Sequence, residues 1–183
     1  RLSNIDVHDI TCKIAEVVVA GGVRRSAMIS LSDLDDREMR EAKNGQFYIQ
    51  HPQRSMANNS AIYLEKPSAS DFMNEWVALM RSGSGERGIF NRGAQKTQMP
   101  QRRVDYLHEK LKSTNGDLGP LGTNPCGEII LQSKQFCNLT EVIARKDDDE
   151  KSLVRKARIA TILGTYQSSL TKFNYISKEW RQL

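Results

Sequence analysis

The chain has 183 residues, 27 Lys and Arg against 22 Asp and Glu for a net charge of +5, and 38% hydrophobic residues. That length suits one compact domain. The mean hydropathy of −0.56 and the lack of any apolar run near 18 residues exclude a transmembrane helix, and three cysteines are too few, and odd in number, for a secreted disulfide scaffold. No basic-then-apolar leader opens the chain, so a cytoplasmic location is expected. The basic residues are scattered rather than massed. The excess suits a small anionic ligand such as a nucleotide, and neither a nucleic-acid nor a membrane partner is expected.

Ile10, Ile14, Val17 and Val18 recur at helical spacing, which predicts an amphipathic helix over Asp6–Ala20, ended by Gly21-Gly22. Ala27–Leu31 alternates as a strand does. Ser32 with Asp35 has the form of a capping box and would open a short acidic helix toward Lys43. Polar, turn-rich residues from Asn44 to Asn59 precede a second strand, Ser60–Leu64. Pro67, Ser68 and Ser70 introduce a helix in which Phe72, Trp76, Leu79 and Met80 share one face. Gly83–Gly88 ends that helix, and Ile89-Phe90 makes a short strand.

From Thr97 to Pro120 the chain reads as irregular, apart from a short helix near Val104–Leu111. Strands are predicted at Glu128–Leu131 and Phe136–Ile143. The acidic cluster Asp147–Glu150 then leads into a long helix, Ser152–Lys172. Strands alternating with helices predict an α/β chain with parallel strands. The opening at Arg1 and the stop at Leu183, inside a helical pattern, are read as those of a central piece of a longer domain.

No Cys-x-x-Cys or His-x-x-x-His pair is present among Cys12, Cys126, Cys137, His8, His51 and His108, so no metal site is expected. Neither Gly21-Gly22 nor Gly83–Gly88 matches a phosphate-binding loop. The informative stretch is Leu121–Val142, LGTNPCGEIILQSKQFCNLTEV. Pro125 and Gly127 bracket Cys126 and force a tight, non-helical excursion that exposes the thiol. Asn124 and Glu128 lie two residues to either side, and in an extended segment the three side chains share a face. An amide, a sulfur and a carboxylate together suit a hydroxylated substrate. Cys137 follows 11 residues after Cys126, within reach for redox exchange if neighbouring strands carry the two. A turn flanked by two buried cysteines is the plain alternative.

The wording GTNPCGEI followed by FCNLTEV resembles the active-site finger loop of ribonucleotide reductase large chains, in the form of the adenosylcobalamin-dependent (class II) enzymes. The resemblance extends along nearly the whole chain. VVVAGGVRRSAMISLSD resembles that family's helix-to-strand passage, and FYIQHPQRSMANNSAIY its substrate-specificity loop with the following strand. SGERGIFNR resembles a segment that usually carries proline where Arg87 stands, and KARIATILGTYQSSLT the helix after the second cysteine.

The resemblance implies a role for each matched residue. Cys126 would carry a transient thiyl radical, generated by adenosylcobalamin, and abstract the 3′-hydrogen of a ribonucleotide. Glu128 would be general base on the 3′-hydroxyl, and Asn124 would hold the ribose. Cys137 would be one member of the redox-active cysteine pair. Its partner would lie upstream of the matched region, served by a dithiol reductant protein, with Cys12 an ordinary core cysteine. Gln50, Arg54 and Asn58 would belong to the loop that links a deoxynucleotide effector to the substrate base, and Arg24-Arg25 could touch phosphate. The implied fold is part of a ten-stranded α/β barrel with the finger loop inside it, residues 1–183 supplying its centre and the remainder of the reductase chain the rest. No turnover is expected from these residues alone. Arg87 in place of proline is expected to loosen its turn, and the Asn91–Gly122 stretch reads as an inserted loop. The alternatives are a class I large-chain segment and a degenerate nucleotide-binding remnant without chemistry.

Overall fold

Helix and parallel strand alternate in the computed structural model, which describes residues 1–17, 27–111 and 121–181, in two compact units, 1–130 and 131–183. Gly21-Gly22, Arg24-Arg25 and the end of the predicted first helix lie outside the described residues, as do residues 112–120.

In the first unit, α1 (Asn4–Glu16) starts where Ser3 caps it, in a reciprocal capping box with Asp6. β1 (Met28–Ser32), β2 (Ala57–Tyr63) and β3 (Gly88–Asn91) form a parallel sheet in that order, with Met28 opposite Ala57 and Ser60 opposite Gly88. Between β1 and β2 lie α2 (Arg37–Glu41), α3 (Phe47–Gln50) and a 3-10 turn, Pro52–Met56. α4 (Ala69–Ser82), capped by Ser68, links β2 to β3. The parallel α/β class read from the sequence is thus present.

Four expectations about this sheet and the helices packed on it are corrected. Ser32 does not cap α2. It ends β1, where its hydroxyl accepts from Arg87, and Asp36 caps the helix through the Met39 N–H at 3.0 Å. β2 begins three residues earlier than predicted, because Asn58 and Asn59, poor strand formers, are held by bonds to Pro125, Glu86 and His8.

Third, the apolar stripes of α1 and α4 do not face the unit's interior. Ile10, Ile14 and Val17 are exposed, as are Phe72, Trp76 and Met80, with Leu79 half-buried, while the inward residues are His8, Cys12 and Ala15 on α1 and Glu75 and Ser82 on α4. Polar pairing turns these faces inward. His8 Nε2 meets Asn59 Oδ1 at 3.2 Å, and Asp9 takes Arg54 in a two-pronged pair at 2.7 Å on each oxygen. Glu75 is gripped by Arg40 and Arg87.

Fourth, Arg87 does not loosen its turn. It is buried, and its guanidinium donates to both Glu75 oxygens, to Ser32 Oγ and to the carbonyls of Asp33 and Leu34, tying β1, α4 and β3 together.

The stretch after β3 contains α5 (Gln95–Gln98) and α6 (Gln101–Leu111). α6 begins just after Pro100 and is longer than predicted. Met99, Leu107 and Leu121 form a buried cluster, with Val104 and Ile130 packed on it. That cluster seats a two-stranded hairpin, β4 (Gly122–Thr123) with β5 (Ile130–Leu131), of which only the last two residues of the predicted Glu128–Leu131 strand take part. Arg92 Nε donates to the Leu121 carbonyl at 2.8 Å and Arg103 to that of Ile130, holding the hairpin at both stems.

In the second unit the predicted strand Phe136–Ile143 is absent: these residues are irregular, and a strand without a ladder partner leaves its backbone groups unpaired. Asn138 Nδ2 instead donates to the Gly164 carbonyl at 3.0 Å. Phe136 stacks on Phe173, with ring centres 5.1 Å apart. α7 (Glu150–Ser168) is the predicted long helix shifted toward the N-terminus, because Asp149 and Ser152 make the capping box.

Candidate active site

The β4–β5 hairpin carries the Asn-Pro-Cys-Gly-Glu turn, and Asn124 is its keystone. This side chain is buried, unlike its neighbours at the tip. Asn124 N–H donates to the Ile129 carbonyl at 3.3 Å, and Asn124 Oδ1 accepts the Ile129 N–H at 3.1 Å. Its remaining donor, Nδ2, bonds Glu128 Oε1 at 2.6 Å. Gly127 closes the turn, donating to the Asn124 carbonyl at 3.0 Å with a φ of +88°, a conformation that side chains resist. The segment is therefore a closed turn, not the extended strand in which three side chains would share a face. The turn itself nevertheless brings Asn124 and Glu128 into contact, with Cys126 exposed at the tip between them.

Cys126 borders an open cavity of about 350 Å³, lined also by Asn58, Ser60, Glu86, Ile89 and Thr123. Gly88 also lines it and approaches Ser60 closely: a Cβ at this position would lie 3.0 Å from Ser60 Oγ. Asn58 reaches across to the turn, its Nδ2 donating to the Pro125 carbonyl at 2.8 Å.

The other predicted site residues are dispersed. Gln50 ends α3 and is exposed. Arg54, on the 3-10 turn, is largely buried and already engaged, by Asp9 and by the Ala42 carbonyl at 2.8 Å. The Arg54 hydrogen bonds hold the Asp9 carboxyl below its usual range. Cys137 is exposed, in the irregular part of the second unit. Cys12 is fully buried against His8, and burial pushes its thiol up to about 11, the behaviour of an inert core cysteine. Among the described residues no group of His, Cys, Asp and Glu could hold a metal ion, and no helix is long and apolar enough to cross a membrane.

Sequence reasoning missed Lys43 and Glu86, which hold the base of this cavity. Lys43 is buried, donates to the Ala57 carbonyl and pairs with Glu86 Oε1 at 2.9 Å, while Glu86 Oε2 accepts the Asn59 N–H at 2.6 Å. A lysine after an acidic helix reads as a surface charge, and only its contacts reveal it.

Against known proteins, the chain is 36% identical over 142 residues to an adenosylcobalamin-dependent ribonucleoside-triphosphate reductase of Lacticaseibacillus paracasei, covering 78% of this chain and 17% of that protein. The enzymes of the same name from Lactobacillus leichmannii and Levilactobacillus brevis are 37% and 33% identical, again over 78% of this chain. The chain belongs to this reductase family. It spans about a sixth of the length of these relatives, 17–18%. No family model and no solved structure matches it. The reductase relationship read from NPCGEI and the flanking motifs thus stands, including its cobalamin-dependent branch.

Proposed function

We propose that this reductase segment supplies the radical-bearing turn and part of the substrate pocket of an enzyme that converts ribonucleotides to 2′-deoxyribonucleotides. The observation that carries the reading is the exposed Cys126 thiol at the tip of a closed turn, beside an open cavity and next to a bonded Asn124–Glu128 pair. The exposed apolar stripes of α1 and α4 support a place within a larger α/β barrel whose other parts cover them.

An accessible sulfur on a rigid turn fits a cofactor that works by hydrogen-atom abstraction. Adenosylcobalamin, when bound, would supply hydrogen-atom abstraction, and the exposed Cys126 thiol would be the group in this segment that presents its hydrogen to it. Cys126, facing the cavity, then takes the 3′-hydrogen of the ribose. Glu128 removes the 3′-hydroxyl proton, and the 2′-hydroxyl leaves as water with a proton from the cysteine pair that includes Cys137. That pair gives two electrons and ends as a disulfide, Glu128 returns its proton to the 3′-oxygen, and Cys126 returns the 3′-hydrogen. Asn124 Nδ2 occupies Glu128 Oε1, which orients the carboxylate and leaves Oε2 to the substrate. Cys137 gives reducing equivalents together with a cysteine outside this segment, and a dithiol reductant protein restores them. Gln50 and Asn58 belong to the segment that reads the nucleotide base under a deoxynucleotide effector, and Arg54 holds that segment in shape through Asp9.

The test is Cys126→Ser in a complete reductase carrying this segment. Deoxynucleotide formation should vanish, and Glu128→Gln should slow it by about 10²–10⁴-fold, the range for losing a general base. Near-normal turnover by the serine variant would overturn the assignment.

A further inference from the structure

Asn58 sits at the second position of β2, opposite Ile29, and its side chain is exposed rather than packed in the core. Both flanking residues are clamped by one ion pair: Lys43 holds the Ala57 carbonyl, and its partner Glu86 holds the Asn59 N–H at 2.6 Å. That N–H lies ahead of the β2–β3 register, which starts at Ser60 and Gly88. Asn58 is thus held on a rigid base. From it, Nδ2 donates to the Pro125 carbonyl at 2.8 Å, a contact spanning 67 residues of sequence. The Pro125 carbonyl belongs to the same planar peptide unit as the Cys126 N–H, so fixing that oxygen fixes the plane from which the Cys126 side chain springs.

We infer that Asn58 is a positioning residue for the Cys126 thiol, transmitting the placement of the 50–59 segment to the turn through the Asn58 Nδ2–Pro125 carbonyl hydrogen bond. The inference rests on the reading of Cys126 as the reacting thiol, and it adds to that reading a direct mechanical link between the 50–59 segment and the sulfur. The Lys43–Glu86 pair is the support and Asn58 the arm.

The experiment is amide hydrogen exchange on the full chain, followed over residues 122–130, for Asn58→Leu and Asn58→Gln. Leucine keeps the branched shape of asparagine, is larger and has no donor, whereas glutamine keeps the amide N–H. Loss of one such hydrogen bond should speed exchange across the turn by about 2- to 12-fold in the leucine variant, with α4 and β1 unchanged and glutamine recovering part of the protection. Asn58→Ala, which removes the amide without adding bulk, serves as a second variant with the same expected outcome should leucine disturb folding. As a second readout, the rate of Cys126 alkylation by iodoacetamide should change in the leucine variant while that of Cys137 in the same molecule does not. Unchanged exchange at 122–130 and an unchanged Cys126 rate would overturn the inference, as would equal changes at both cysteines. Neither readout depends on nucleotide reduction. A failure here with Cys126→Ser inactive would leave the reductase reading intact, and active Cys126→Ser with a loosened turn would remove that reading alone.

Discussion

Replacing Arg87 by methionine tests whether a polar hub, rather than the apolar stripes, holds the first unit together. Arg87 is 3% exposed and Glu75 5%, and the guanidinium makes five hydrogen bonds, two to Glu75 and three to the β1 end and the residues after it. Breaking a buried pair by removing one partner costs about 3–5 kcal/mol. Here Arg40 still neutralises Glu75 at 2.9 Å, which places the loss near the lower end, about 3 kcal/mol. For a chain of this size that is a fall of about 6–12 °C in the unfolding midpoint.

Urea denaturation in a Trp180→Phe background isolates the signal of Trp76, on α4 in the first unit, since the chain has two tryptophans. A double-mutant cycle with Glu75→Gln should give a coupling of about 1.5–3 kcal/mol, the upper range for contacting residues. A loss below about 1 kcal/mol, typical of an exposed pair, would mean that water replaces Arg87 freely and that the hub reasoning is wrong.

Three further outcomes follow from the same contacts. Burial raises the Glu75 pKa, but the Arg87 hydrogen bond and the charges of Arg87 and Arg40 outweigh it and leave the carboxyl below its usual range; Asp9 is lowered by Arg54. Both groups therefore favour the folded state above the ordinary carboxylate range, near pH 4, and lose that contribution as pH falls through their lowered values. The urea midpoint should hold from pH 7 to about pH 5 and drop below pH 4, and a flat profile to pH 3 would contradict the pairing. With Ellman's reagent at pH 8, two thiols per chain should react promptly, Cys126 and Cys137, and Cys12 only on unfolding. Prompt reaction of all three would mean α1 does not seat Cys12 in the core. Gly127→Ala should destabilise the turn by about 1 kcal/mol because φ is +88° there; an unchanged unfolding midpoint would argue against that backbone.

Much of this architecture is legible in local sequence. Alternation in Ala27–Leu31, the Ser68 start of α4 and the Gly83 stop each act through neighbouring residues, so they survive folding as written. So does the Pro-Cys-Gly wording that exposes Cys126. The register of the apolar stripes does not survive, because hydrophobic periodicity marks a face without saying what covers it. In the first unit, His8, Asp9 and Glu75 find charged or amide partners 35–51 residues away, or 12 in the case of Arg87, and draw the polar faces inward. Phe136–Ile143 fails as a strand for a related reason: strand propensity is realised only with a partner strand.

The sequence by itself determined the family, the parallel α/β class and the thiol-bearing turn, since each is written in contiguous residues or short motifs. The tertiary structure alone decided that Asn124 grips Glu128, that Arg54 is spent on Asp9, and that Lys43 and Glu86 support Asn58 beneath the Pro125 carbonyl. Apart from Asn124 with Glu128, these contacts join residues 14 to 67 positions apart. A hydrogen bond depends on where a donor and an acceptor meet in space, and separation along the chain does not encode it.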